Sequence, residues 1–585
     1  MAARPLHLVL MIRKVIRGIS AIVLCFSSFA AVAASKPNLV LITLDSARAD
    51  RMGFLGAKGS LTPNLDRLAG ESVVFEHAYA QAPGSVVSHA TILSGAYPQS
   101  TGMSEIGGRL PPSMPYLPDL LKLQGYRTAA FVASIDLDPQ NGPAQGFDRG
   151  FETYDAGFRP VLPGDASLPV TERRGRQVVA RAVAWLNHNA QTPFFLWVHI
   201  SDARAPASSY NSTITAADAA AGELIAALQR KKIYANTAVI VAADQGESLG
   251  AHGEDTHGVF LYDETIHVPL LVKLPQGEPA TKPAETRVAA KVRLVDIAPT
   301  LLEIAEVPVP SQMQGQSLLR IAKAGSGTSD HPVYSRADLP QIGFGWSPLE
   351  SWRAGKYLYI RAPRPELYDL TADPGATHNL AQSSKATLDT MASQLDAFDG
   401  SFSHDAGKSS AELSSSEMQK LASLGYVGLQ HSSGAAASVT GIDPNDKIAE
   451  ANKVIEATAR EQSKPDRAIA ALTPVVSADP NLYLAQYTLG TALARKGQYA
   501  DAAKHLHKAV ELQSDSAWAH YESGAILLKT GDFKAAIVHL EIAASHLPGF
   551  APAHLSLAEA YDHMNRTEDA KRERARAIET HSAVR

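Results

Sequence analysis

Four alanines spaced 34 residues apart, Ala468, Ala502, Ala536 and Ala570, constrain the C-terminal region more tightly than any other feature of the chain. Gly490 and Gly524 keep the same period, as do Gly497 and Gly531, the trio Ala509, Ala543 and Ala577, and the pair Tyr499 and Phe533. A period of that length is one helix-turn-helix hairpin per repeat. A lone hairpin cannot bury its apolar face, so successive hairpins must stack into a solenoid. Small side chains let the paired helices approach, and the aromatic is expected to fill the gap beside them. Generic hairpins with chance alanine register would not hold several independent positions in phase. The repeats occupy residues 443–585 and predict an all-α solenoid whose concave face takes a protein or peptide partner.

Upstream the pattern is different. From Lys36 to about Ala324, short apolar runs alternate with helical patterns. Asn38–Leu44, Arg127–Val132, Phe194–His199 and Ala238–Ala243 suit strands buried on both faces of a mostly parallel sheet. Val178–Asn187 and Ala216–Lys231 suit the helices between them. This predicts an α/β domain over residues 35–325, with ligands beyond the carboxyl ends of the strands. Two runs end in aspartate there, Asp45 and Asp244, and a third ends at His199 with Asp202 close behind. Short strands and turns from Val333 to about Gln382 predict a small α+β subdomain over residues 326–399. Residues 400–442 are rich in serine, glycine and alanine and read as a linker, with Met418–Tyr426 as an apolar island.

Arg4, Arg13, Lys14 and Arg17 precede an apolar stretch, Ile19–Ala34, with Ala31-Val32-Ala33 at its end. Basic, apolar and small-residue segments in that order predict a signal peptide over residues 1–34 and an exported protein, periplasmic or secreted. Contact with a membrane is expected only if that segment stays uncleaved. The single cysteine, Cys25, lies within it, so the exported form has neither disulfide nor thiolate ligand. A formal net charge of -5 gives no electrostatic reason to expect nucleic acid.

Three stretches carry the chemistry. Asp45, Asp244 and Gln245 are oxygen donors at strand ends, a set that suits Ca²⁺ or Mg²⁺ better than zinc. Alone, an aspartate in such a place is more often a helix cap or turn former. Ser85, in Pro83-Gly84-Ser85-Val86-Val87-Ser88-His89, precedes a helical run, where free backbone N–H groups would favour an anion or a developing oxyanion. On this stretch alone the favoured reading is that Ser85 or Ser88 merely caps the helix. The third stretch, Ala243-Asp244-Gln245-Gly246-Glu247-Ser248-Leu249-Gly250-Ala251-His252-Gly253 and on through His257 to Glu264, is a glycine-rich loop with two histidines.

Together these segments resemble the sulfatase branch of the alkaline phosphatase superfamily. KPNLVLITLDSARAD, TPNLDRLAGESVVFEHAYAQAPGSVVSHATILSGAYP, ADQGESLGAHG and HGVFLYDETIHVPLLVKLP match its landmarks in order, and VRLVDIAPTLLEIAEVPVPSQMQGQSLL and ELYDLTADPGATHNL match its later part. The repeats are similar to tetratricopeptide repeats. The resemblance implies a doubly wound sheet in which Asp45, Asp244 and Gln245 bind one divalent metal ion, Ca²⁺ first, with Mg²⁺ or Mn²⁺ as alternatives. It places Ser85 at the nucleophile position. The chain departs from the family where cysteine or serine is followed by x-Pro-Ser-Arg, since the proline and arginine are gone; formylglycine is therefore not expected, and a plain hydroxyl would attack. Asp45-Ser46 replaces paired aspartates. Asp202-Ala203-Arg204 replaces Asp-Pro-His, so that Arg204 would clamp an anion, and His257 stands where relatives place a group that assists the leaving oxygen. His89 completes the catalytic candidates.

The expected function is a metal-dependent hydrolase of anionic sulfuric or phosphoric esters acting through Ser85. The alternative is an inactive relative that serves as a repeat scaffold; the altered aspartate and histidine positions favour it.

Overall fold

The computed structural model describes residues 36–158, 173–202, 207–276, 286–324, 331–402, 413–424 and 441–582. The expected signal peptide and Arg204 lie outside the described residues.

Eight strands form the central sheet: β1 (Asn38–Leu44), β2 (Val73–Tyr79), β3 (Arg127–Phe131), β4 (Thr153–Asp155), β5 (Phe194–Ile200), β6 (Thr237–Ala243), β7 (His267–Lys273) and β8 (Arg287–Arg293). Their spatial order is β8-β2-β7-β6-β1-β5-β3-β4. β7 alone runs antiparallel, against β2 and β6. Every residue of β1, β5 and β6 is buried, as continuous apolar runs require when helices cover both faces. Leu44 is in register with Ala243 on one side and Ile200 on the other. Asp45 and Asp244, 199 residues apart in sequence, therefore leave the sheet side by side at its carboxyl edge.

A four-stranded antiparallel sheet follows, β9 (Val333–Ala337), β10 (Leu349–Ala354), β11 (Tyr357–Arg361) and β12 (Glu366–Asp369), backed by the helix Lys385–Asp399. Within the stretch read as a linker, a helix spans Ser415–Ser423, and Ser414 caps it by accepting from the N–H of Glu417. It docks on the repeats through Lys420–Glu541 at 2.6 Å and Ser545–Glu417 at 3.2 Å.

Eight helices from Ile448–Arg460 to Thr567–Ser582 form the repeats. Ala468, Ala502, Ala536 and Ala570 are buried at equivalent positions of the second helix of each hairpin. A Cβ on Gly490 would stand 2.6 Å from Leu506 Cγ, and one on Gly524 equally close to Leu540 Cγ, which is why these positions stay bare. The aromatic positions depart from expectation: Phe533 stacks on His563 at 4.1 Å, whereas Tyr499 is left 37% exposed.

The solenoid also touches the small subdomain and the α/β domain. Gln513 donates to the carbonyl of Ile342. Asn452 donates to Gly253 O at 2.8 Å and accepts from the N–H of Asp255 at 3.1 Å.

Candidate active site

Ser85 opens a ten-residue helix, Ser85–Ser94, buried along its whole length. Gly84 precedes it in extended conformation and has no side chain with which to cap it. Ser88 is no cap either, its hydroxyl donating to Ala82 O at 3.0 Å. The carboxyl of Glu105 does that work. It accepts from Val87 N at 3.1 Å and, more weakly, from Val86 N at 3.4 Å. Free N–H groups were expected at this helix start. The correction is that a carboxyl of the chain itself takes them, since orphan donors at a helix start bind whatever acceptor is near.

The Ser85 hydroxyl donates to Asp244 Oδ2 at 2.7 Å and lies 3.2 Å from Gln245 Nε2. Asp244 Oδ1 accepts from the N–H groups of Ser46 (3.1 Å) and Gln245 (2.8 Å). Ser46, with φ of 53, turns the chain after β1 so that its hydroxyl bridges Asp45 Oδ1 at 2.9 Å and Gln245 Nε2 at 3.2 Å. Asp45, Ser85, Asp244 and Gln245 thus meet in one nest. Asp244 has no exposed surface, and burial first, then the charge of Asp45, pushes its carboxyl far above the ordinary range. Gln245 Oε1 is buried with no hydrogen-bond partner among the described residues. Two crowded carboxylates and an orphaned amide oxygen fit a hard divalent cation, which would accept all three.

His257 joins the nest from the glycine loop. Its Nε2 is 3.3 Å from Gln245 Nε2, and its Nδ1 is 3.3 Å from both oxygens of Glu247. A carboxylate on one ring nitrogen orients the imidazole and fixes which nitrogen faces the site. Arg48 Nη1, on the carbonyl of Glu247 at 2.9 Å, holds the loop near its start. Glu254, fully buried and pushed up to about 8 by burial, holds its end by accepting from Val259 N at 2.8 Å and Phe260 N at 3.3 Å. His252 stacks on Tyr262 at 3.6 Å instead of reaching the nest.

His89 lies behind the nucleophile position. Its Nδ1 bonds Ser85 O at 2.7 Å and its Nε2 bonds Thr43 Oγ1 at 3.0 Å. Burial first, then His199, pushes its ring down to about 3, so it stays neutral. Nitrogens of His89 and His199 come within 4.8 Å of a carboxylate oxygen of Asp244, a grouping able to hold a metal. Both His89 nitrogens already have partners, however, whereas the oxygen set keeps an open acceptor. Asp202 accepts from Gly175 N at 3.2 Å and so anchors the helix Gly175–Asn189.

Glu105, Glu247 and the bridging hydroxyl of Ser46 were not singled out as site residues from sequence. Glu247 lies within the glycine-rich stretch, and an acid beside a candidate metal ligand was an available signal. Glu105 carries none, because its seat is visible only in three dimensions.

Residues 37–203 and 200–307 match the sulfatase family model, and residues 255–398 match the model described as N-sulphoglucosamine sulphohydrolase, C-terminal. Residues 490–531 and 527–581 match two tetratricopeptide-repeat models. The chain is 27% identical over 417 residues to the ulvan-active sulfatase of Formosa agariphila, covering 62% of this chain and 80% of that one. It is 24% identical over 432 residues to the Delta 4,5-hexuronate-2-O-sulfatase of Bacteroides thetaiotaomicron, covering 61% and 87%. In fold it is similar to the phosphonate monoester hydrolase of Agrobacterium radiobacter, with a TM-score of 0.52 at 17% identity over 62% of this chain and 96% of that one. These matches lend no support to an inactive scaffold. The matched segment, residues 37–398, belongs to the sulfatase family of hydrolases, and the C-terminal region carries tetratricopeptide repeats.

Proposed function

We propose that this protein is an exported, metal-dependent ester hydrolase in which the unmodified hydroxyl of Ser85 attacks the sulfur or phosphorus of an anionic ester. The observation that carries the reading is the 2.7 Å hydrogen bond from Ser85 to Asp244, with the side chain of Gln245 against the same hydroxyl at 3.2 Å. Asp45, Asp244 and Gln245 would hold one divalent cation, Ca²⁺ before Mg²⁺ or Mn²⁺, which when bound neutralises the carboxylates and lowers the pKa of the hydroxyl. The serine oxygen bonds to the central atom as its proton passes along the hydrogen bond to Asp244 and the ester oxygen departs with the bonding pair. His257, oriented by Glu247, hands that oxygen a proton, and water then cleaves the covalent serine ester. The names of the relatives favour sulfated sugars as substrates. Arg204 would contact the anion, and the repeats would bind a protein or peptide partner.

The test is hydrolysis of 4-nitrophenyl sulfate and 4-nitrophenyl phosphate with and without added Ca²⁺, together with mass spectrometry of the Ser85 peptide. Ser85→Ala should abolish turnover, and the peptide should carry unmodified serine. Full activity in Ser85→Ala, or a formylglycine at that position, would refute the reading.

A further inference from the structure

Glu105 stands where an anionic ester would least tolerate a carboxylate. It accepts from two amides at the start of the helix that bears Ser85. Its seat exists because residue 84 lacks a side chain: a Cβ there would lie 2.2 Å from Glu105 Cδ. Gly84, with φ of -157 and ψ of 153, has a backbone any residue adopts, so the space, and not backbone freedom, is what the position demands. The carboxyl senses the charges of Asp136 and His257, and the residue keeps some surface open to solvent. Through Val86 and Val87 it sits at the same helix start that presents Ser85.

We propose that Glu105 is a specificity-determining residue that restricts the site to esters bearing a single negative charge, such as sulfate monoesters, against doubly charged phosphate monoesters. The inference rests on the Ser85 reading above. Helix-start N–H groups ordinarily attract an anion's oxygens. Here they are occupied by an acceptor that adds a negative charge of its own. A sulfate monoester carries one charge, whereas a phosphate monoester carries close to two near neutral pH. Repulsion scales with the product of the charges, so the second charge is what Glu105 selects against. Burial pushes its carboxyl up to about 7, which leaves it ionised in mildly alkaline solution.

The test compares kcat/KM for 4-nitrophenyl phosphate and 4-nitrophenyl sulfate in the full chain with saturating Ca²⁺ at about pH 8.5. In Glu105→Gln the phosphate-to-sulfate ratio should rise by about tenfold or more. Gly84→Ala, which unseats the carboxyl without removing it, should shift the ratio in the same direction. An unchanged ratio in an active, normally melting Glu105→Gln protein overturns the role of Glu105 and leaves the Ser85 reading intact. If Glu105→Gln fails to fold, the ratio in Gly84→Ala decides. A wild-type enzyme that hydrolyses neither ester overturns both.

Discussion

Replacing Asn452 by alanine tests whether the repeat domain takes part in hydrolysis or merely rides with the enzyme. This side chain belongs to the first repeat helix, Ile448–Arg460, yet pairs with the backbone of Gly253 and Asp255 at 2.8 and 3.1 Å. The loop it grips runs from Glu247 to His257 and includes left-handed backbone at Leu249, Gly250, His252 and Gly253. Two of its bonds, Ser248 N to Thr256 O at 2.7 Å and Gly250 N to Glu254 O at 2.8 Å, are internal, and Arg48, Glu254 and the stack of His252 on Tyr262 hold it to the α/β domain. Each bond to Asn452 is worth about 0.5–1.5 kcal/mol, and both are solvent-exposed, so water recovers part of the loss. A net cost of about 1 kcal/mol raises local opening of the loop about fivefold. Hydrogen exchange read by mass spectrometry on a peptide spanning residues 250–258 should show that acceleration, with the Asp255 amide affected most. Asn452→Asp, which keeps the acceptor and loses the donor, should fall between wild type and alanine. Turnover should drop with loop protection while the melting temperature barely moves. Unaltered exchange in the alanine variant would show that the contact carries no energy in solution, and the coupling argument would fail.

In the repeats, Gly524→Val should cost about 1–3 kcal/mol in thermal or urea unfolding, because its Cβ would begin 2.6 Å from Leu540 Cγ. Buried His520 donates from Nε2 to Ser514 O at 2.9 Å, so its Nδ1 must accept from His539 Nδ1 at 2.8 Å, and that bond exists only while His520 is neutral. Burial pushes His520 down to about 4, so its stabilisation is complete above its unfolded value near 6.5 and is lost as pH falls toward 4, about 3 kcal/mol in all. Urea titrations at several pH values check this, and a flat stability across that window would contradict it. Ser46→Asp should tighten divalent-cation binding about tenfold by calorimetry, since its hydroxyl sits between Asp45 and Gln245 and aspartate tolerates left-handed backbone. Weaker binding would show that the bridging hydroxyl is itself required.

How legible the molecule is depends on the range over which each feature is encoded. Asn38–Leu44 is a strand with the bounds read from its apolar run, and Val178–Asn187 lies inside the helix Gly175–Asn189. The 34-residue period fixes the hairpins because every repeat must solve the same packing problem, as Gly490 and Gly524 do against Leu506 and Leu540. The meeting of Asp45 with Asp244 was legible too, because aspartates that end adjacent parallel strands emerge together. Local alternation, helical spacing and repetition are properties of the chain itself, and they determined the α/β sheet, the solenoid and the strand-end donors. Only the tertiary structure decided what surrounds Ser85: Glu105 seated against Gly84, Glu247 behind His257, Ser46 bridging Asp45 and Gln245, and Asn452 reaching over from the repeats. Such contacts form where loops converge from separate strands and domains, and close approach between those loops leaves no period in the sequence.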